Sequence, residues 1–248
     1  MSWVIEAENL TKTFAWVPVL NGVSCRIAAG EVVGVFGPNG AGKTTFLRLL
    51  ATLLRPSAGT LTLFGSFPQE TLVRRRLGFL GHESFLYPDL TPVENLTFYG
   101  RAYTVPDVQT RIVTVLQQVG LQQWGHTPVR TFSRGMEQRL ALARVLLHEP
   151  DLLLLDEPYT GLDAQGVAML QSALAQMKKQ GRTIILTTHD FTFGLELCTR
   201  VFIVDRGRIA WESDGHVPSV QEFMELYHVK TQSSVLSPQS STRNTQHA

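Results

Sequence analysis

The sequence predicts an α/β fold built on a mostly parallel sheet. Short apolar runs of strand length (EVVGVF, LLLLD, TIILT, VFIV) alternate with stretches of helical periodicity. A glycine-rich loop, GPNGAGKTT, follows the first of these runs and opens a helix-like segment. The run at residues 152–155 ends on Asp156, which sets a carboxylate at the edge of a buried sheet.

A chain of 248 residues suits one large domain, or one domain with a small inserted subdomain. Hydrophobic residues make up 44% and charged residues 17%, which excludes disorder for the chain as a whole. Lys plus Arg is 22 and Asp plus Glu is 21, a net charge of +1. Bulk charge therefore gives no hold on a polyanion, and no nucleic-acid partner is expected. The two cysteines, Cys25 and Cys198, are far apart and in no metal-ligand spacing, which fits a reducing compartment. The opening MSWVIEAENL has no apolar stretch of the secretory kind. No run approaches the ~18 to 20 apolar residues of a spanning helix. A membrane role is therefore expected to be peripheral and to run through a partner.

Taken in order, WVIEAENL and residues 19–27 are β-branched and strand-like. EVVGVF is a short buried strand, and FLRLLATLL beyond the glycine loop carries a helical apolar face. TLTLF is a strand closed by Gly65. Strand signals then fade, and residues 83–132 read as a helical insert. TPVENLTFYGRAY has Thr91 before the helix, Pro92 at its first position and Glu94 three residues after Thr91, a capping box. VQTRIVTVLQQVG is a second amphipathic helix, stopped by Gly120. Strands return at residues 152–155, 183–187 and 201–204, with helical patterns at 167–179 and 191–198 between them. Residues 218–227 form one more helix. The expected domain is 1–230, and the polar, Ser/Gln-rich residues 231–248 are expected to be a disordered tail.

Residues 37–44 (Gly37, Pro38, Asn39, Gly40, Ala41, Gly42, Lys43, Thr44) fit G-x-x-x-x-G-K-[ST] without a gap. Glycines let the backbone curl so that successive N–H groups point at phosphate oxygens. Lys43 brings a point charge to the β- and γ-phosphates, Thr44 a hydroxyl for Mg²⁺, and the following helix its positive end. Asp156 is placed to hold Mg²⁺ through water, and Glu157 to polarise an attacking water. His189, after TIILTT, can donate to a γ-phosphate. In FSRGMEQRLALARVLL, Ser133 and Gly135 stand at a helix start, where free N–H groups favour an anion.

Together these motifs resemble the nucleotide-binding subunit of an ATP-binding cassette (ABC) transporter. GPNGAGKTT, which ends on Thr45, resembles its Walker A motif and LLLLDEP its Walker B. FSRGM resembles the LSGGQ signature, YTGLD the D-loop with Asp163 as its acid, and Thr188-His189-Asp190 the switch histidine. Phe14, after LTK, falls where the family often has a tyrosine that stacks on adenine. The resemblance implies a P-loop sheet core with an N-terminal antiparallel β portion and an inserted helical subdomain. It implies ATP and Mg²⁺ as cofactors and a second ATP-binding subunit, identical or different. Each ATP would lie between Lys43 of one chain and Ser133 of the other. Transmembrane permease subunits in separate chains would hold the protein at the cytoplasmic face of the inner membrane.

Departures narrow the resemblance. Arg134 replaces the first glycine of the signature and Met136 its glutamine. Where the family has its Q-loop glutamine, in a pattern like IGYVPQE, this chain has LGFLGHE, with His82 at the glutamine position and Glu83 next. GHE before an ENL helix start is similar to the haem-exporter ATPases of cytochrome c maturation, which commonly read GHQ. Haem export is the function this implies, with an exporter of drug or lipid type, or a soluble ABC ATPase, as the alternatives. Arg74, Arg75 and Arg76 read as a solvated helix face. The aromatics Phe85, Tyr87, Phe98, Tyr99 and Tyr103 suit either subdomain core or a groove for a partner's helix.

Overall fold

The computed structural model describes residues 3–232. Two long strands, β1 (Trp3–Phe14) and β2 (Val17–Ala28), pair antiparallel and are joined by β4 (Ala58–Leu63) on the other side of β1. Ile5 and Leu10 of β1 and Leu20, Val23 and Ile27 of β2 bury one face of this small sheet. Period-two patterning with one solvated face is what an antiparallel sheet requires.

The second sheet is the core. Its order is β5 (Leu77–Leu80), β6 (Leu152–Asp156), β7 (Thr183–Thr187), β3 (Val32–Phe36), β8 (Arg200–Asp205) and β9 (Arg208–Glu212). The first five strands are parallel and β9 turns back antiparallel on the edge. Every residue of β3, β6 and β7 is buried. Successive side chains leave a strand on opposite faces, so a strand covered on both sides is apolar along its middle, with Asp156, Thr183 and Thr187 confined to the ends of β6 and β7. Val33, Val35, Leu152, Leu154 and Ile185 pack toward the antiparallel sheet and Phe46, Leu47 and Leu50 of α1 (Lys43–Leu50). Val32, Phe36, Leu153, Leu155, Ile184 and Leu186 pack on the other face. There they meet Leu140 of α5 (Arg134–Leu146), Leu170 and Leu174 of α6 (Ala164–Lys179) and Phe223.

The middle of the chain is helical. α2 (Thr71–Arg75) carries Arg74 and Arg75 on its exposed side, and Arg76, just beyond it, pairs with Asp151 at 2.6 Å. α3 (Pro92–Tyr103) begins at the capping box: the Thr91 side chain accepts from Glu94 N–H, and Glu94 accepts from Thr91 N–H. α4 (Val108–Gln118) is closed by Gly120 at φ +64°. α7 (Phe191–Leu197) follows β7, and α8 (Val220–Gln232) closes the described chain.

Two expectations are corrected. The last helix does not stop at Tyr227 but runs to Gln232, into the stretch read as a tail, and residues 233–248 lie outside the described residues. Strand β9, with the pattern RIAWE, had no place in the sequence reading. It is half exposed and pairs only with β8, so it lacks the continuous apolar run that marks its neighbours.

Candidate active site

The site forms at the carboxyl ends of β3, β6 and β7, the edge where open α/β sheets bind ligands. The loop after β3 makes two close approaches that only glycine allows. A Cβ on Gly37, at φ +157°, would meet the Val204 carbonyl at 2.1 Å. Gly42, at φ +103°, caps α1, and a Cβ there would meet the Val19 carbonyl at 2.8 Å. Gly42 offers no side-chain cap, so the first N–H groups of α1 keep their hydrogen-bonding capacity for an anion.

Lys43 begins α1 and is buried. Its ammonium donates to the carbonyls of Gly37 at 2.7 Å and Pro38 at 3.1 Å. Burial lowers its pKa from the ordinary lysine value, while the carboxylates of Glu157 and Asp156 act in the opposite direction. Thr44, one residue on, donates its hydroxyl to Asp156 Oδ1 at 3.1 Å.

Asp156 ends β6 and is 2% exposed. Its Oδ1 also accepts from the Thr187 hydroxyl at 2.8 Å, and its buried Oδ2 has no protein partner. A buried carboxylate oxygen with no donor is costly unless something else satisfies it. A hard divalent cation satisfies it, and the oxygen donors present, Asp156 and Thr44, are the kind Mg²⁺ takes. The residues therefore fit the ion.

Glu157 sits at φ +53°, a left-handed conformation uncommon for a residue with a side chain. Thr187 holds it there: its hydroxyl accepts from Glu157 N–H at 3.0 Å and its carbonyl at 3.2 Å. The carboxylate then meets His189 twice. Oε2 accepts from the His189 backbone N–H at 3.2 Å, and Nε2 of the ring stands 3.1 Å from Oε1.

A cavity of about 380 Å³ joins these groups, lined by Asn39, Gly40, Ala41, Gly42, Lys43, Thr44 and Thr45 together with His82, Glu157 and His189. A smaller one of about 90 Å³ continues from His82 and Glu157 to Asp156, Arg134 and Glu137. His82, two residues beyond β5, thus borders both. Ser84 donates to Glu137 at 2.6 Å, which ties the loop after β5 to α5.

The remaining candidates stand apart from the larger cavity. Ser133, which is exposed, caps α5, accepting from Met136 N–H at 3.2 Å. Asp163 caps α6, accepting from Gly166 N–H at 2.8 Å. The two helix starts adjoin: a Cβ on Gly135 would lie 3.5 Å from the Gly161 carbonyl, and one on Gly161 would lie 3.0 Å from Arg134 Nε. Phe14, at the end of β1, is 42% exposed and does not line the cavity.

Sequence reasoning missed Thr187, whose hydroxyl and carbonyl position both carboxylates. The available signal was a polar residue closing the apolar run TIILT in register with Asp156. It also missed Val19 and Thr160 in the cavity wall.

Comparison with known proteins agrees with this geometry. The ABC transporter family model matches residues 20–160. The chain is 38% identical over 200 residues to the ABC transporter ATP-binding protein NatA of Bacillus subtilis strain 168, covering 79% of this chain and 81% of that one. It is 38% identical over 213 residues to the Nod factor export ATP-binding protein I of Ralstonia nicotianae, covering 83% of this chain and 65% of the relative. A dimeric ATP-binding cassette in a post-hydrolysis state, bound to ADP and Pi, superposes with a TM-score of 0.77 at 25% identity over 86% of this chain and 99% of that one. Glycine loop, paired acids, histidine and homology agree: the chain belongs to the ABC transporter family, as an ATP-binding subunit whose ATPase activity drives transport.

Proposed function

We propose that this protein energises an exporter from the cytoplasmic face of a membrane, hydrolysing ATP in a site shared by two ATP-binding subunits. The observation that carries this reading is the separation within one chain of two sets of groups. Lys43, Glu157 and His189 line one cavity and Asp156 the smaller one that continues from it, while Ser133 and Asp163 line neither. A head-to-tail pair brings the second set onto the first, and the solved cassette with ADP and Pi is itself a dimer.

In this account the N–H groups of the glycine loop and α1 hold the phosphates, and Lys43 exchanges its carbonyl partners for phosphate oxygens. Thr44 and Asp156 would hold Mg²⁺, which would supply charge neutralisation for the bound phosphates. Glu157 orients the attacking water and takes its proton. His189 donates to the γ-phosphate and steadies the charge that develops there. Ser133 of the second subunit closes the site.

No helix among the described residues is long and apolar enough to cross a membrane, and in this reading permease chains supply the pathway. The exposed aromatics Phe85, Tyr87 and Phe98 of the insert are the proposed face for them. For the cargo, haem export is supported by Gly81-His82 ahead of the α3 start. An amphiphilic drug- or lipid-type cargo is supported by the relatives, among them a linearmycin resistance ATP-binding protein at 34% identity. Tagged Glu157→Gln protein, recovered with ATP from detergent-solubilised native membranes, is the test. A polytopic membrane protein in the eluate is expected, and haem-handling partners with it would select the first cargo. An eluate of ribosomes or DNA-repair proteins would overturn the exporter reading.

A further inference from the structure

Between α1 and β5 three large apolar side chains stand exposed: Leu53 at 52%, Phe67 at 69% and Leu72 at 71%. Three exposed arginines are interleaved with them, Arg55, Arg74 and Arg75. None of the three has an ion pair among the described residues, whereas Arg76, next in the chain, is taken by Asp151. Arg55, Phe67 and Arg74 border one groove of about 200 Å³, and no carboxylate lines it. Glu70, the acid beside it in the chain, accepts from Phe67 N–H at 3.2 Å and so holds the turn that presents the phenyl ring. Leu72 and Arg75, three residues apart on α2, share its exposed side, while Val73 is buried.

This exposure is built into the backbone. Leu53 N–H and Leu54 N–H both donate to the Arg48 carbonyl, at 3.0 and 3.2 Å, and Ser57 N–H donates to the Thr11 carbonyl at 2.8 Å. The Lys12 ammonium holds the Arg55 carbonyl at 2.9 Å. The patch also lies away from the phosphate cavity: α1 starts there at Lys43 and runs about 12 Å before Leu53 follows its far end. A guanidinium fork matches phosphate oxygens, and its apolar stem can lie along apolar surface while its head reaches them. Leucine and phenyl side chains beside unpaired arginines are the chemistry of a phospholipid interface, where the rings and branches enter the acyl boundary and the cations meet the phosphates.

We propose that this patch docks directly on an anionic phospholipid surface. A lipid phosphate is held between Arg55 and Arg74, and Leu53, Phe67 and Leu72 sit at the acyl boundary. The proposal stands apart from the exporter reading, since it needs neither nucleotide nor permease.

The test sediments the purified full chain with phosphatidylcholine vesicles, with and without phosphatidylglycerol. Binding is expected to the anionic vesicles alone, and to weaken as salt is raised. The double variant Arg74→Gln/Arg75→Gln is expected to bind about tenfold more weakly or worse. Phe67→Ser is expected to lose affinity several-fold, through apolar area and not charge. Arg208→Gln removes an exposed arginine from β9 instead and should bind as wild type does. All of these side chains are exposed and outside the ATP cavity, so melting temperature and basal ATPase rate should stay near wild type in each variant. Absence of binding overturns the proposal, as does equal binding to both vesicle types or an equal loss in Arg208→Gln. A wild type that recovers a membrane protein through Phe67 but binds no vesicles overturns it in favour of a protein partner. Loss of the ATP reading alone would leave the vesicle result standing.

Discussion

His189 grips Glu157 from two directions. Its backbone N–H donates to Oε2 at 3.2 Å and its ring nitrogen stands 3.1 Å from Oε1. The carboxylate is 14% exposed and the imidazole 56%, so the histidine is the partner with room to move. In the proposed mechanism, a swing of the ring toward the γ-phosphate would release Oε1 for water.

Glu157→Gln keeps the shape of the side chain, and Gln still offers a carbonyl oxygen to His189 N–H. It removes the proton acceptor. Phosphate release is expected to fall about 10²- to 10⁴-fold with ATP affinity retained. Steady-state phosphate release and nucleotide binding on the same preparation check this.

Asn95 is fully buried in α3, and its side chain closes the loop before that helix. Its Oδ1 accepts from Tyr87 N–H at 2.8 Å, and its Nδ2 donates to the carbonyls of Tyr87 and Thr91, each at 3.1 Å. Asn95→Leu strands these backbone groups. A loss of roughly 2 to 4 kcal/mol in unfolding free energy is expected, read by urea denaturation.

Phe98 is 48% exposed and meets Tyr87 edge-on at 5.2 Å. Truncation there costs the fold little. Phe98→Ala is expected to leave the basal ATPase rate within about twofold and the melting temperature close to wild type. Recovery of the membrane partner in the pull-down is expected to drop several-fold, as for an aromatic interface anchor.

His148 stacks on Tyr103 with ring centroids 3.9 Å apart, and its Nε2 shares a hydrogen bond with the Leu77 carbonyl at 2.8 Å. Burial pushes its pKa down from 6.5 to about 4. The unfolded chain therefore binds this proton more readily than the folded one. The contribution is present above about pH 6.5 and is lost as the pH falls toward about 4. A loss on the order of 2 kcal/mol between about pH 7 and about pH 5 is expected in the wild type. His148→Gln, which keeps a donor for Leu77, should flatten that part of the profile.

The parallel core was legible because burial on both faces forces unbroken apolar runs: LLLLD and TIILT are strands over their whole length. The α3 start was legible because Thr91 and Glu94 serve local backbone groups. β9 was not, since an edge strand answers to a single neighbour. Thr187 and Asn95 were missed for another reason: their roles depend on partners brought near by the fold, Asp156 and the Tyr87 loop. Among the site residues, the glycine loop, His82, Glu157 and His189 meet in one cavity. Ser133, Gly135 and Asp163 do not line it; in the proposed function they meet the site of a second chain.

The proposed mechanism requires a site shared by two subunits. Glu157→Gln protein sedimented with and without ATP tests it most directly. The account predicts a monomer without nucleotide and a dimer with ATP, reversed by Ser133→Arg, which places a bulky side chain at the start of α5. A monomer under both conditions, at protein concentrations where ATP is bound, would contradict it.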